Sequence, residues 1–243
     1  MQQTLCAQLK DYIDRDETVT LTTVIRGPSD LLGQKALIPA RGVSVGALLD
    51  TPWRDQILTD AQTLMDEQVS GTRLYDKDQI QLFFDVYYAA PKLVIVGAVH
   101  IASHLIYFAK PLGFRTYLID PRTAFATKER FPNVDEMVHT WPDDALAAIK
   151  LTSQTAVVVV THDPKLDDPA LKIALPSPAF YVGALGSPNT HDKRITRLTE
   201  EGVALGDLDR LHAPIGLNIG GRTPEEIALS IMAEIVASRN GRL

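Results

Sequence analysis

Residues 92–96 read KLVIV, a short and nearly unbroken apolar run that closes on Gly97. A run of this kind suits a strand buried on both faces, as in parallel sheets covered by helices on either side. The rest of the chain keeps the pattern. Residues 114–119, 134–138, 155–160 and 179–182 have strand composition, and helical spacing runs over 101–109, 143–150, 166–175 and 188–201. Strands alternating with helices of this length imply βαβ units, so this part of the chain is expected to be α/β with a doubly wound parallel sheet.

Residues 1–90 read as a smaller α+β domain. Leu5, Leu9, Tyr12 and Ile13 lie at helical spacing, residues 18–25 (TVTLTTVI) are β-branched, and residues 36–39 form a second extended run. A helix is expected over 53–69 through Ile57, Leu58, Ala61, Leu64, Met65 and Val69, ended by Gly71. Residues 72–75 and 80–88 then read as a closing hairpin. Ala90-Pro91 is the expected boundary, giving domains 1–90 and 91–243, because proline starts a new element and restricts the residue before it. Residues 1–90 carry 8 basic and 13 acidic side chains and no histidine, whereas all six histidines lie beyond the boundary. Imidazole titrates near neutral pH, so ligand or acid–base chemistry is expected in the second part.

Charge and composition exclude several classes. A net charge of −6 without a basic run argues against a nucleic-acid partner. The longest purely apolar runs, such as residues 156–160, are too short to span a bilayer. The first residues show no cationic segment leading into an apolar one, so the cytoplasm is the expected compartment. A single cysteine, Cys6, leaves no intramolecular disulfide and no cysteine-based zinc site, and it is expected to pack inertly on its helix.

Residues 96–102 (VGAVHIA) stand where a dinucleotide-binding turn would stand in a Rossmann-like domain. Gly97 and Ala102 fill the first and third positions of G-x-G-x-x-G/A, and Asp120, 23 residues after Gly97, falls where an acid can meet ribose hydroxyls. The middle position is Val99, whose side chain would project towards a pyrophosphate. The expectation is a Rossmann-like turn that keeps its topology without binding NAD(P) tightly.

Three polar clusters follow later strands, and ligands in open α/β sheets gather beyond the carboxyl ends of strands. The first is Thr161-His162-Asp163-Pro164. The second runs from Gly183 to His191, with Ser187 as N-cap and Pro188 at the first helical position. Such a terminus attracts anions. His191 with Arg194, and Lys193 with Arg197, are expected to place positive charge on two adjacent faces, where a phosphate would sit; a capped surface helix with solvated cations is the alternative. The third cluster, residues 212–226, ends in a capping box of Thr223, Pro224 and Glu226, which leaves His212, Asn218 and Arg222 as the residues needing a functional role. No metal site is expected: His100 and His104 have HxxxH spacing but no glutamate follows His100, and His162, His191 and His212 are scattered. Ser187 sits in G-S-P and not in a nucleophile elbow, so no catalytic residue is assigned.

The stretches LVIVGAVHIA, Asp120-Pro121-Arg122, Thr161-His162-Asp163, YVGALGS with Thr190 and Lys193-Arg194, and HAPIGLNIGGRTPEEIALSIMAEIVA together resemble the XdhC/CoxI family. The resemblance covers residues 91–243, and extends more loosely to TVTLTTVIRG, Gly33 and IQLFFDVYYAAPKL before them. It implies an accessory protein for a xanthine dehydrogenase-type molybdenum hydroxylase, a chaperone and not an enzyme. Such a protein would bind molybdenum cofactor (molybdopterin) transiently, assist its maturation and pass it on for insertion. Carried over residue by residue, the resemblance marks Gly97, His100, Asp120, Arg122, His162, Asp163, Gly186, Ser187, Lys193, Arg194, His212, Asn218 and Arg222 as cofactor-binding. Ser187 with Lys193 or Arg194 would take the phosphate arm; His162, Asp163 and His212 would hydrogen-bond the pterin edge. The hydroxylase is the implied partner, with a cysteine desulfurase and a second copy of the chain as further ones.

Three positions depart from the family pattern. Val99 replaces a glycine, Asn218 stands where aspartate is common, and the family's glycine–cysteine motifs are missing. Binding and delivery are compatible with these changes; relay of sulfur through a family thiol is not. An NAD(P)-dependent oxidoreductase and a purely structural assembly factor are the alternative readings.

Overall fold

The computed structural model describes the backbone of residues 2–243 and side chains from Leu5 onwards. The chain divides into two compact units, the first ending at Ala89 and the second running over Ala90–Leu243.

The first unit is built on an antiparallel sheet of four strands, β1 (Val19–Arg26), β2 (Lys35–Pro39), β3 (Gly71–Tyr75) and β4 (Ile80–Tyr87), in the order β2-β1-β4-β3. Burial alternates residue by residue along β4, the mark of a strand with one face on a core. That face packs Val24, Leu82, Phe84 and Val86 against Ile57, Ala61, Leu64 and Met65 of helix α2 (Arg54–Glu67). On helix α1 (Gln2–Asp14), Leu5 joins Val19 and Leu37 in a smaller cluster. Two local expectations are corrected. α2 ends at Gln68, whose left-handed φ of 55° lets its N–H cap the carbonyls of Leu64 and Met65, and Gly71 begins β3 instead of stopping the helix. Cys6 is exposed on α1 and not packed.

The second unit has a sheet of six parallel strands: β5 (Lys92–Val96), β6 (Arg115–Ile119), β7 (Glu136–Val138), β8 (Thr155–Val159), β9 (Tyr181–Ala184) and β10 (Leu211–His212). Their order is β10-β9-β8-β5-β6-β7. Counted from β5, this is the 3-2-1-4-5-6 order of the dinucleotide-binding fold, so the α/β, Rossmann-like reading holds. The helices are α3 (His100–Ala109), α4 (Pro142–Ala148), α5 (Pro164–Ala174), α6 (Pro188–Glu200), α7 (Leu205–Leu208) and α8 (Pro224–Arg239). Leu93, Ile95, Leu118, Ala156 and Val158 pack with α3 and α8 through Leu105, Ile106, Ile231, Met232 and Ile235. Their neighbours Val94, Val96, Ile119, Val157 and Val159 pack on the other face with Leu146, Ala170 and Leu171 of α4 and α5. Both faces of each central strand are therefore spent on core, which is why these strands are predominantly apolar, with polar residues such as Lys92, Thr116 and Thr155 only near their starts.

β9 begins two residues later than its composition suggested, and the two-residue strand β10 and helix α7 are too short to leave a pattern. The strand order reverses between β5 and β8, which pair in parallel. In open α/β sheets, the crevice outside the carboxyl ends of the strands at such a reversal is where ligands bind.

Candidate functional site

Gly97 makes the turn out of β5 with φ +115°, and its N–H donates to the Ile119 carbonyl at 2.8 Å. A Cβ at this position would lie 2.7 Å from Thr161 Cγ2 and 3.2 Å from the Thr161 nitrogen. The glycine is thus needed for close approach of the β5 and β8 ends, in a backbone conformation that side chains disfavour. Val99, half-buried and extended, is the N-cap of α3 and contributes no side-chain hydrogen bond; exposed His100 follows as the first helical residue.

Asp120 is corrected from ligand contact to structural clamp. It is fully buried at the end of β6, and both oxygens are occupied. Oδ2 accepts from the Ala98 N–H and from Arg122 Nη2, each at 2.8 Å, while Oδ1 accepts from the Arg122 N–H at 3.0 Å and from Nε at 2.8 Å. Burial pushes its carboxyl up, but the donors and charge of Arg122 and the Ala98 N–H outweigh it and hold the group below the usual carboxylate range. Arg122 is tied down by the same bidentate pair and lies over the Phe125 ring at 4.8 Å.

After β8, Thr161 donates its hydroxyl to Asp167 and accepts from the Asp163 N–H at 2.9 Å. His162 is exposed with a left-handed φ of 63°, a costly conformation for a residue with a side chain. Asp163 caps α5, with Oδ1 accepting from the Lys165 N–H at 3.0 Å, which leaves its other oxygen to the loop.

After β9, Ser187 caps α6 as expected, accepting from the Thr190 N–H at 3.2 Å, with Pro188 next. The pair of cationic faces is not formed. Arg194 is 1% exposed and donates through Nη2 to Asp167 at 3.1 Å and to the Leu185 carbonyl at 3.0 Å. Arg197 is paired bidentately with Asp168. The two successive acids of α5 face α6 and draw its arginines inward, so Lys193 is left as the exposed cation near the turn. Buried polar atoms nevertheless remain without partners here: Nδ1 of His191 and Nε and Nη1 of Arg194.

At the end of β10, His212 stacks on Tyr181 with ring centroids 4.6 Å apart and planes 22° apart. Its Nδ1 stands 3.7 Å from Glu234 Oε1 of α8, at ion-pair distance. Glu234 Oε2 accepts from the Tyr181 hydroxyl and, at 2.7 Å, from the Gly216 N–H. Burial pushes the Glu234 carboxyl up, yet His212, Tyr181 and the Gly216 N–H together keep it below the usual range. Tyr181 and Glu234 are the residues that reading the sequence missed; the available signal was a glutamate four residues after Ser230, beside the apolar face of α8. Ser230 itself donates to the Leu217 carbonyl at 2.9 Å, so α8 holds the loop at two points. The capping box of Thr223 and Glu226 is present.

These contacts join the loops along one edge of the sheet: Gly97 against Thr161, Thr161 through Asp167 to Arg194 and Leu185, and the Ile215 N–H to the Ala184 carbonyl at 3.3 Å. His100 at the start of α3, Lys193 on α6, and Asn218 and Arg222 on the loop before α8 are exposed, and among the described residues no side-chain hydrogen bond or ion pair of theirs joins them to the others. Among the described residues, no three His, Cys, Asp or Glu side chains converge as a metal ion would require. Nor, among them, is any helix long and apolar enough to cross a membrane.

The profile of the XdhC Rossmann domain matches residues 93–235. The uncharacterized protein YqeB of Escherichia coli K12 is 32% identical over 162 residues, which are 66% of this chain and 30% of YqeB. A probable xanthine dehydrogenase subunit of Bacillus subtilis 168 is 31% identical over 188 residues, 77% of this chain and 54% of that protein. The molybdenum cofactor insertion chaperone PaoD of Escherichia coli K12 is 35% identical over 95 residues, 39% of this chain and 30% of PaoD. The matched part therefore spans between about a third and about half of these relatives. A solved xanthine dehydrogenase from Bacillus halodurans shares the fold, with a TM-score of 0.57 over 98% of this chain and 96% of its own at 21% identity. With the domain profile lying over more than half of its length, and over the sheet whose carboxyl edge gathers these loops, the chain belongs to the XdhC family.

Proposed function

We propose that the chain is an accessory protein of a xanthine dehydrogenase-type molybdenum hydroxylase, and that it binds molybdenum cofactor, shields it during maturation and hands it on for insertion. Relatives named as a molybdenum cofactor insertion chaperone and as a probable xanthine dehydrogenase subunit support the reading. The observation that carries it is at the start of α6. The position a dinucleotide would need beside Gly97 is taken by Val99, whereas two buried guanidinium nitrogens of Arg194, Nε and Nη1, stand without partners beside the β9–α6 turn. Buried donors are normally paired, so this donor set suits a ligand with an oxyanion arm such as the pterin's phosphate.

In this reading the α6 terminus, with Ser187 and Lys193, takes the phosphate arm, and Gly186 lets the backbone approach it. His162, the free oxygen of Asp163 and His212 hydrogen-bond the pterin edge, while His100, Arg122, Asn218 and Arg222 form the rim. Gly97 and Asp120 serve by holding the turn. The cofactor's redox chemistry belongs to the hydroxylase; the chain binds, orients and excludes oxidant. Cys6 sits on α1 of the first unit, and no sulfur relay is assigned to it.

Anaerobic titration of the purified protein with molybdenum cofactor, against NADPH as a control, tests the proposal. Saturable cofactor binding with no NADPH binding is expected. Tight NADPH binding without cofactor binding would overturn it in favour of a nicotinamide-dependent oxidoreductase.

A further inference from the structure

We infer that His212 is a preset hydrogen-bond acceptor at the carboxyl edge of the sheet, its Nε2 lone pair offered to a ligand's N–H group, with Glu234 and Tyr181 as the residues that position it. The inference deepens the preceding reading and rests on it only for the ligand, in which that N–H belongs to the pterin ring.

The arrangement begins with a buried acid. The Glu234 side chain on α8 is 11% exposed, and a carboxylate so placed is costly unless donors surround it. Oε2 accepts from the Tyr181 hydroxyl and from the Gly216 N–H at 2.7 Å, which leaves Oε1 to Nδ1 of His212 at 3.7 Å. Room for the phenol comes from Gly183, which pairs with His212 in the β9–β10 register. A Cβ on Gly183 would lie 2.7 Å from the Tyr181 hydroxyl oxygen and 2.6 Å from Ile215 Cδ1. Tyr181 in turn carries the imidazole on the face of its ring, with centroids 4.6 Å apart. The imidazole is the outlet of this group: it is 30% exposed, whereas Tyr181 is buried.

The protonation of the ring follows from what each partner can do. A carboxylate accepts and cannot donate, so the imidazole nitrogen facing Glu234 carries the hydrogen. In a neutral imidazole the other nitrogen is then bare, since the partner of one ring nitrogen sets the role of the other. Nε2 is not buried, and it has no partner among the described residues. It is therefore an acceptor, held in one orientation by the stack on Tyr181 and the acid behind it. Such an atom selects a donor and refuses a carbonyl presented at the same place. His212 thus decides which edge of a heterocycle faces the sheet.

The test uses the full chain with nitrogen-15-labelled histidine, without cofactor, at a pH where imidazole is neutral. Ring correlations of His212, identified by their absence from His212→Gln, are expected to show Nδ1–H and a bare Nε2. In Glu234→Gln the amide oxygen keeps Tyr181 and Gly216 as donors, so its NH2 group faces Nδ1 and the ring proton is expected to move to Nε2. Every group in that variant retains a partner, so the fold is expected to persist. Anaerobic affinity for molybdenum cofactor is expected to fall by about tenfold, because two donors then meet. An Nε2–H ring in the unsubstituted protein overturns the inference without need of any variant. So does a Glu234→Gln protein that keeps the Nδ1–H form, or one that switches form and binds cofactor as before; this last result leaves the preceding reading in place. A protein that shows both ring forms as expected but binds no cofactor removes that reading and keeps the positioning of His212 by Glu234.

Discussion

Gly97 and Thr161 stand so close that a Cβ on the glycine would lie 2.7 Å from Thr161 Cγ2. The contact locks the β5–α3 turn to the end of β8 across the point where strand order reverses. It makes Gly97 a packing requirement, whatever the crevice binds. Gly97→Ala is expected to destabilise the protein by about 1–3 kcal/mol through overpacking and the unfavourable φ. Urea unfolding measures this, and pairing the substitution with Thr161→Ser, which removes Cγ2, should return part of the loss. An unchanged midpoint for Gly97→Ala would show that the contact is not tight.

The Asp120 carboxyl ionises more readily in the folded protein than in the unfolded chain, because Arg122 and the Ala98 N–H outweigh the effect of burial. A depressed folded value contributes stability that is present above about pH 4 and lost as pH falls through the folded value. Asp120→Asn should therefore flatten the acid side of the stability–pH curve, and unfolding midpoints taken below and above about pH 4 will show it. An acid limb as steep as in the unsubstituted protein would contradict the assignment.

Arg194 and Asp167 form an ion pair with side chains 1% and 3% exposed. Removing one member strands the other in the interior, so Asp167→Ala should cost about 3–5 kcal/mol. Replacing both at once with apolar residues, as in Arg194→Met with Asp167→Leu, should recover most of that loss. Recovery would be seen in denaturant midpoints, and a double variant as unstable as the single would mean the pair contributes beyond its own charge balance.

Lys193 is the exposed cation by the α6 turn, and its removal has no packing consequence. Lys193→Glu should leave stability within about 0.5 kcal/mol of that of the unsubstituted protein. Cofactor affinity should fall by about two- to fivefold, more at low salt than at high salt. Thermal unfolding and anaerobic binding at two ionic strengths check both parts, and full affinity in both salts would take Lys193 out of the site.

Cys6 is exposed on α1. Cys6→Ser is expected to bind and release molybdenum cofactor as the unsubstituted protein does. A variant that binds cofactor but no longer supports its sulfuration would return a thiol to the mechanism.

Local interactions were legible in the order of residues. Ser187-Pro188 and Thr223-Pro224 with Glu226 cap α6 and α8 as their spacing requires, because a cap is made within four residues. Alternating apolar strands and helices disclosed the parallel sheet for a similar reason: a strand with core on both faces is mostly apolar, whatever lies elsewhere in the chain. Gln68 shows how narrow that legibility is. Gly71 offered itself as the helix stop, yet α2 ends earlier, at a non-glycine in a left-handed conformation.

Long-range partners were not legible. The arginines of α6 were expected to face water, but Asp167 and Asp168 lie 27 and 29 residues before the arginines they pair with, and nothing in α6 itself reports them. The same holds for Glu234, which meets the Tyr181 hydroxyl 53 residues away and carries His212 with it.

The KLVIV run and its successors, by themselves, determined that residues beyond Pro91 form a parallel α/β sheet, because only burial on both faces accounts for such strands. Tertiary structure decided which polar side chains at the edge of that sheet remain available to a ligand. That choice depends on which charges meet across helices, since a side chain paired in the interior is lost to the crevice however suitable its chemistry.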